Sequence, residues 1–179
     1  MVRLYSFANN QQKDKETALM PALLNADEVF AIAVQIEDNA AAYYRRAAEL
    51  QSDSASAETL KRLAAMEEDH KATFAAYRKE ASAAGRSEPL SGDGGLFLAA
   101  IASGYPVEGS PSKADELTGN ESMKEIVGAA VELEKKGILF YLGIKDAIDD
   151  ASDIAKIEKI INDEKAHVVT LLDELKKLD

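Results

Sequence analysis

The sequence predicts an all-α protein, an antiparallel four-helix bundle made of two duplicated helical hairpins joined by a long crossover connection. Three observations predict it. Apolar residues make up 46% and charged residues 30% of the 179-residue chain, with only 10 glycines and 4 prolines, the composition of a helix-rich globular protein. Four segments carry apolar residues at alternating steps of three and four, the signature of an amphipathic helix. The second pair of segments repeats the first at a constant offset.

The first helix begins after Asn25, whose side chain can cap while Glu28 reaches back as in a capping box, and ends near the Ser/Asp cluster at 52–54. The second runs from about Ser56 to Ala84 and stops at Gly85, a natural helix terminator. The third spans about Glu121 to Ile148 and the fourth about Ser152 to Leu178, separated by a tight acidic turn at Asp149 and Asp150. Such short turns make antiparallel hairpins.

Between the hairpins, residues 85–120 hold three of the four prolines and most of the glycines, which marks a connection. At roughly 3.3 Å per extended residue it can cross a bundle whose helices, at 1.5 Å per residue, are about 40 Å long. Its apolar piece LFLAAIASGY is either a short covering helix or a loop with a buried anchor. Residues 1–24 read as an N-terminal extension and 25–179 as the bundle, one domain by length.

Charge and residue usage exclude several functions. A formal charge of −11 repels nucleic-acid phosphates and anionic membrane surfaces and favours cationic partners or metal ions. The absence of cysteine removes disulfides, thiolate zinc sites and cysteine-ligated iron centres, so any metal here must use oxygen and imidazole. The N-terminal stretch has no apolar h-region and no run long enough to span a bilayer, so a cytoplasmic protein is the default expectation.

The buried stripes carry the functional signal. On the second helix the stripe reads Leu60, Leu63, Glu67, His70, Phe74, Tyr77; on the fourth, Ile157, Ile160, Glu164, His167, Leu171, Leu175. Each places a Glu-x-x-His inside an apolar seam, and these are the chain's two histidines. The first helix gives Phe30, Ala33, Glu37, Ala40, Tyr44, and the third Val127, Ala130, Glu134, Gly137, Tyr141, Ile144. Glu134 follows Glu37 by 97 residues, as Glu164 follows Glu67 and His167 follows His70, which points to duplication of a hairpin. Glu68, Asp69, Glu132 and Asp163 fall off or at the edge of the stripes and read as solvated.

An uncompensated ionised carboxylate in a core costs several kcal/mol, so four of them outweigh the roughly 5–15 kcal/mol that holds a domain together. Shared protons neutralise part of the charge by raising pKa values. Two divalent cations neutralise all of it, because four carboxylates and two neutral imidazoles balance about four positive charges. Tyr44 and Tyr141, two turns beyond Glu37 and Glu134, are either donors to those carboxylates or core tyrosines with a satisfied hydroxyl.

One glutamate from each of two helices plus a Glu-x-x-His from each of the other two resembles the ferritin-like di-iron and di-manganese carboxylate proteins. Within that class, IEDNAAAYY with MEEDH, and LEKKGILFY with NDEKAH, are most similar to the rubrerythrin-like branch. The resemblance covers about residues 25–178. It implies bridging by Glu67 and Glu164, one metal completed by Glu37 and His70, and the other by Glu134 and His167. It further implies two iron ions, with manganese the alternative, reacting with dioxygen or hydrogen peroxide. A ferritin-type iron store and a di-manganese catalase fit the same ligand set, and a metal-free interaction module is the remaining reading. Two departures stand out. Gly137 occupies the position of the further glutamate found in rubrerythrins, and without cysteine there is no rubredoxin-like domain. Electrons are therefore expected from a separate donor protein, and a homodimer is the expected assembly.

Overall fold

The computed structural model describes residues 22–107 and 111–178. Most of the expected N-terminal extension, residues 1–21, lies outside them.

Four long helices and one short one make up the described fold: α1 (Ala26–Leu50), α2 (Ser54–Ala83), α3 (Gly92–Ile101), α4 (Met123–Ala147) and α5 (Ala151–Lys177). Capping chemistry sets the boundaries. Asn25 accepts from the Glu28 amide and Glu28 returns the bond to the Asn25 amide, so both orphan donors of the first turn are used. Ser122 and Glu125 repeat the device at the start of α4. Asp53 and Asp150 cap α2 and α5. Gly85, just beyond α2, has φ +64°, a conformation that glycine adopts without the Cβ penalty.

α1 packs most extensively on α2 and α4 on α5, while direct α2–α5 contact is sparse. Neighbours run antiparallel: Tyr43 on α1 reaches the Ile126 carbonyl on α4, whereas Arg78 on α2 chelates Asp27 at the other end of α1. The crossover therefore travels the full length of the bundle. It leaves beside the start of α1, where the Leu90 amide donates to the Leu24 carbonyl, and arrives beside its end, where Gly119 lies against Leu50. LFLAAI is helical, forming most of α3, and it docks on α4 by close backbone approach. A Cβ at Gly94 would lie 2.5 Å from the Asp146 carbonyl, so only glycine fits there. Tyr105 then packs its ring against Phe140 and donates to the Lys136 carbonyl, holding the returning chain against α4.

Every residue of the four predicted stripes is buried except Leu175, which is half-buried. The core divides into two apolar clusters. One is centred on Phe30, Phe74, Tyr141, Ile144 and Ile157, the other on Tyr44, Leu60, Leu63, Val127 and Leu171. The stripe order puts Glu37, Glu67, His70, Glu134, Glu164 and His167 in a layer between them.

Candidate metal centre

That layer contains every buried glutamate and histidine among the described residues. Each member is on the inward stripe of its own helix, with Glu67–His70 and Glu164–His167 one turn apart, and the packing of the four helices brings them to one height. Glu37, Glu67, His70 and Glu164 offer ligand atoms within 4.8 Å of one another, and so do Glu67, Glu134, Glu164 and His167. Glu67 and Glu164 belong to both sets.

The two shared carboxylates divide their oxygens evenly. Nδ1 of His70 lies 3.2 Å from Oε2 of Glu67 and 2.9 Å from Oε1 of Glu164. Nδ1 of His167 lies 3.0 Å from Oε1 of Glu67 and 2.9 Å from Oε2 of Glu164, with Oε1 of Glu134 at 3.7 Å. Each shared glutamate thus turns one oxygen to each histidine. The imidazole rings stack with centroids 5.7 Å apart.

These short contacts are mostly not hydrogen bonds. Oε1 of Glu67, both oxygens of Glu164 and both ring nitrogens of His167 are buried without an aligned partner. Buried orphans of this kind are costly and demand an explanation. Atoms that converge on a common centre, rather than on each other, supply one. An ion bound at about 2.1 Å with near-orthogonal ligand directions sets adjacent donors about 3 Å apart, the spacing found around each Nδ1. The residues present therefore fit two ions held by oxygen and imidazole.

Without metal, protons and ion pairs must balance the cluster. Burial, reinforced by the charges of Glu164 and Glu67, holds the Glu37 carboxyl well above the usual range. Burial likewise raises Glu134. Burial acts to raise Glu164 too, yet its contacts with His167 and His70 bring it down to about 2. For the imidazoles burial acts downward, but the surrounding carboxylates prevail, pushing His70 up to about 10 and His167 up to about 12. Protons thus occupy the places that cations would take.

Both tyrosines act across the hairpins. Tyr141 on α4 donates to Oε1 of Glu37 on α1 at 2.5 Å, and Tyr44 on α1 donates to Oε1 of Glu134 on α4. Burial and those carboxylate charges keep both phenols well above their ordinary pKa, so they remain donors. Glu68 is half-exposed and paired with Arg45 and Lys71. Asp163, read as solvated, is partly so: its side chain stays about a third exposed and pairs with Lys159, but its Oδ2 also lies 3.6 Å from Nε2 of His70. The signal was available, since position 163 is three after Ile160 and four before His167, both seam residues.

A pocket of about 260 Å³ opens onto this layer between α1 and α4, reaching Glu37, Glu134 and Glu164. Gly137 lines it; a Cβ there would touch only the Tyr141 ring at 3.4 Å and Ile36 at 3.8 Å.

Fold and site together define a ferritin-like four-helix bundle with a twin carboxylate–imidazole cluster at mid-height. No protein-family model matches the chain, and no curated protein matches it in sequence. A solved structure does: a protein from Thermotoga maritima described as a ferritin-like di-iron carboxylate protein, with TM-score 0.72 and 22% identity over 88% of this chain and 98% of that one. At this identity the likeness establishes the fold.

Proposed function

We propose that the chain is a binuclear non-haem iron protein, an oxidoreductase of rubrerythrin-like type that reduces dioxygen or hydrogen peroxide in an oxidative-stress or iron-handling role. One observation carries this reading: two four-residue ligand sets that share Glu67 and Glu164, each with ligand atoms within 4.8 Å of one another, and with five side-chain atoms of Glu67, Glu164 and His167 buried without a hydrogen-bond partner. The fold likeness to a protein described as a di-iron carboxylate protein supports it.

Glu67 and Glu164 would bridge the ions, Glu37 and His70 would complete one, and Glu134 and His167 the other. Bound as ferrous ions, the pair supplies two electrons at adjacent centres, so an oxidant is reduced without release of a one-electron product. The chain's own contribution is charge and shape. Four carboxylates and two imidazoles match two divalent charges, which removes the burial penalty of the metal-free cluster. Tyr141 and Tyr44 each hold one oxygen of Glu37 and Glu134, fixing where the other points. The apolar clusters above and below keep bulk water from the layer. Access is left on the α1–α4 side, where Gly137 leaves room. Electrons for turnover come from a separate donor, and the working assembly is a homodimer.

Anaerobic titration of the apoprotein with Fe(II), followed by peroxide or oxygen, tests this. Saturation at about two irons per chain and oxidation without radical release are expected. Binding of fewer, or unchanged binding in a Glu67→Ala/Glu164→Ala double variant, overturns it. Rapid peroxide disproportionation by the manganese form without reductant would reassign the site to a catalase, and a cage-sized native mass to an iron store.

A further inference from the structure

The pocket over the metal layer is larger than the proposed oxidants require. A water molecule's share of liquid volume is about 30 Å³, and an engineered apolar cavity of about 150 Å³ takes up benzene. At about 260 Å³, this pocket has room for an organic molecule of roughly bicyclic size. Its inner end is formed by buried Glu37, Glu134 and Glu164, the last with neither carboxylate oxygen in an aligned hydrogen bond. Its walls are apolar, with Ile36, Leu133 and the Tyr141 ring. Two small residues, Ala40 and Gly137, keep the interior open.

The open end has the opposite character. Lys113 and Lys136 line it and are exposed, and among the described residues no exposed carboxylate shares this lining, although Glu116, Glu121, Glu125 and Glu132 line the neighbouring hollow that the same two lysines border. The two lysines are the cationic side chains among the described residues of this lining. Lys113 pairs with Glu116 at 2.6 Å, an exposed contact that is weak and exchangeable. Lys136 is held in place through its backbone, whose carbonyl accepts from Tyr105 of the crossover. An apolar shaft with a cationic mouth fits a molecule with an apolar body and an anionic head.

We propose that this pocket binds a small aromatic or aliphatic carboxylate, its acid at Lys113 and Lys136 and its apolar end beside Glu37 and Gly137. This deepens the binuclear reading, on which it rests for chemistry though not for geometry. The ligand's inner end lies against the carboxylates of both metal sets. It thereby occupies the route by which an oxidant reaches them.

The test uses full-length protein, metal-free and loaded with redox-inert zinc, titrated calorimetrically with benzoate, 2-naphthoate and octanoate, and with neutral 2-naphthylmethanol. Saturable one-to-one binding of at least one carboxylate is expected. Gly137→Leu, which fills the shaft, should weaken it by about tenfold or more. Lys113→Gln/Lys136→Gln, two exposed positions that do not endanger folding, should weaken 2-naphthoate about tenfold and leave 2-naphthylmethanol within about twofold. Absence of saturable binding by all three carboxylates overturns the proposal, as does equal weakening of acid and alcohol by the lysine variant. Zinc stoichiometry in the same samples separates the two failures. Two ions bound without carboxylate binding defeats the pocket alone, whereas carboxylate binding without metal uptake defeats the binuclear reading alone.

Discussion

The Tyr141 hydroxyl on α4 donates to Oε1 of Glu37 on α1 at 2.5 Å, joining the two hairpins through a carboxylate of the candidate metal layer. Tyr44 and Glu134 make the reciprocal contact. A carboxylate anchored by one oxygen presents the other in a fixed direction, which lowers the reorganisation needed to bind an ion. Tyr141→Phe and Tyr44→Phe should each weaken metal affinity by about 10–100-fold with two ions still bound at saturation. Competition against a chromophoric chelator reads the change, and wild-type affinity in both variants would show the phenols to be packing alone.

Two glycines of the same fold predict opposite signs. A Cβ at Gly94 meets the backbone of Asp146 and Ala147 at 2.5–2.6 Å, and backbone cannot swing aside. Gly94→Ala should therefore destabilise by about 1–3 kcal/mol despite the better helix propensity of alanine. Gly128, inside α4, has nothing within 4 Å of its Cβ position. Gly128→Ala should stabilise by about 0.4–1 kcal/mol. Urea unfolding of both variants measures the pair.

Protons occupy the atoms that the proposed metal ions would take, which gives the stability of the metal-free protein a pH dependence of known sign. His70 at about 10 and His167 at about 12 lie above their unfolded value of 6.5. Their contribution to the metal-free fold is fully present below pH 6.5 and is lost as pH rises through those values. The raised Glu37 and Glu134 act in the same direction, whereas Glu164, at about 2, matters only in acid. The Tm of metal-free protein should fall steadily between pH 6.5 and 9.5, and that of metal-loaded protein should not. Metal binding near pH 7 should also release protons, seen as a buffer-dependent binding enthalpy.

Much of this site was legible because a helix repeats simply. Steps of three and four put Glu37, Glu67, His70, Glu134, Glu164 and His167 on inward stripes, and the 97-residue offset matched the stripes in pairs. What periodicity could not show is which atoms meet across helices. The crossed pairing of Tyr44 with Glu134 and Tyr141 with Glu37 depends on α1 and α4 being antiparallel neighbours. The fate of LFLAAIASGY was equally closed, since α3 is fixed by glycine contacts with Asp146 and Leu90 rather than by its own pattern. Asp163 looked solvated because its position is at the flank of the stripe, where a small rotation of the helix decides between solvent and His70.

That flank makes the two candidate ligand sets unequal. Nε2 of His70 lies 3.6 Å from Oδ2 of Asp163, whereas Nε2 of His167 has no hydrogen-bond partner. The residue 97 positions before Asp163 is Met66, so the duplicated hairpin carries no matching acid. A carboxylate behind a ligating imidazole raises its basicity and steadies its ring, typically by a factor of about 10–100 in metal affinity. The position served by Glu37 and His70 should therefore fill first, giving two resolved steps in a zinc or ferrous titration. Asp163→Asn should weaken the tighter step and bring the two together, and Met66→Asp should tighten the weaker one. Equal steps in the wild type, or an Asp163→Asn variant that weakens both alike, would show that the asymmetry of sequence does not reach the metals.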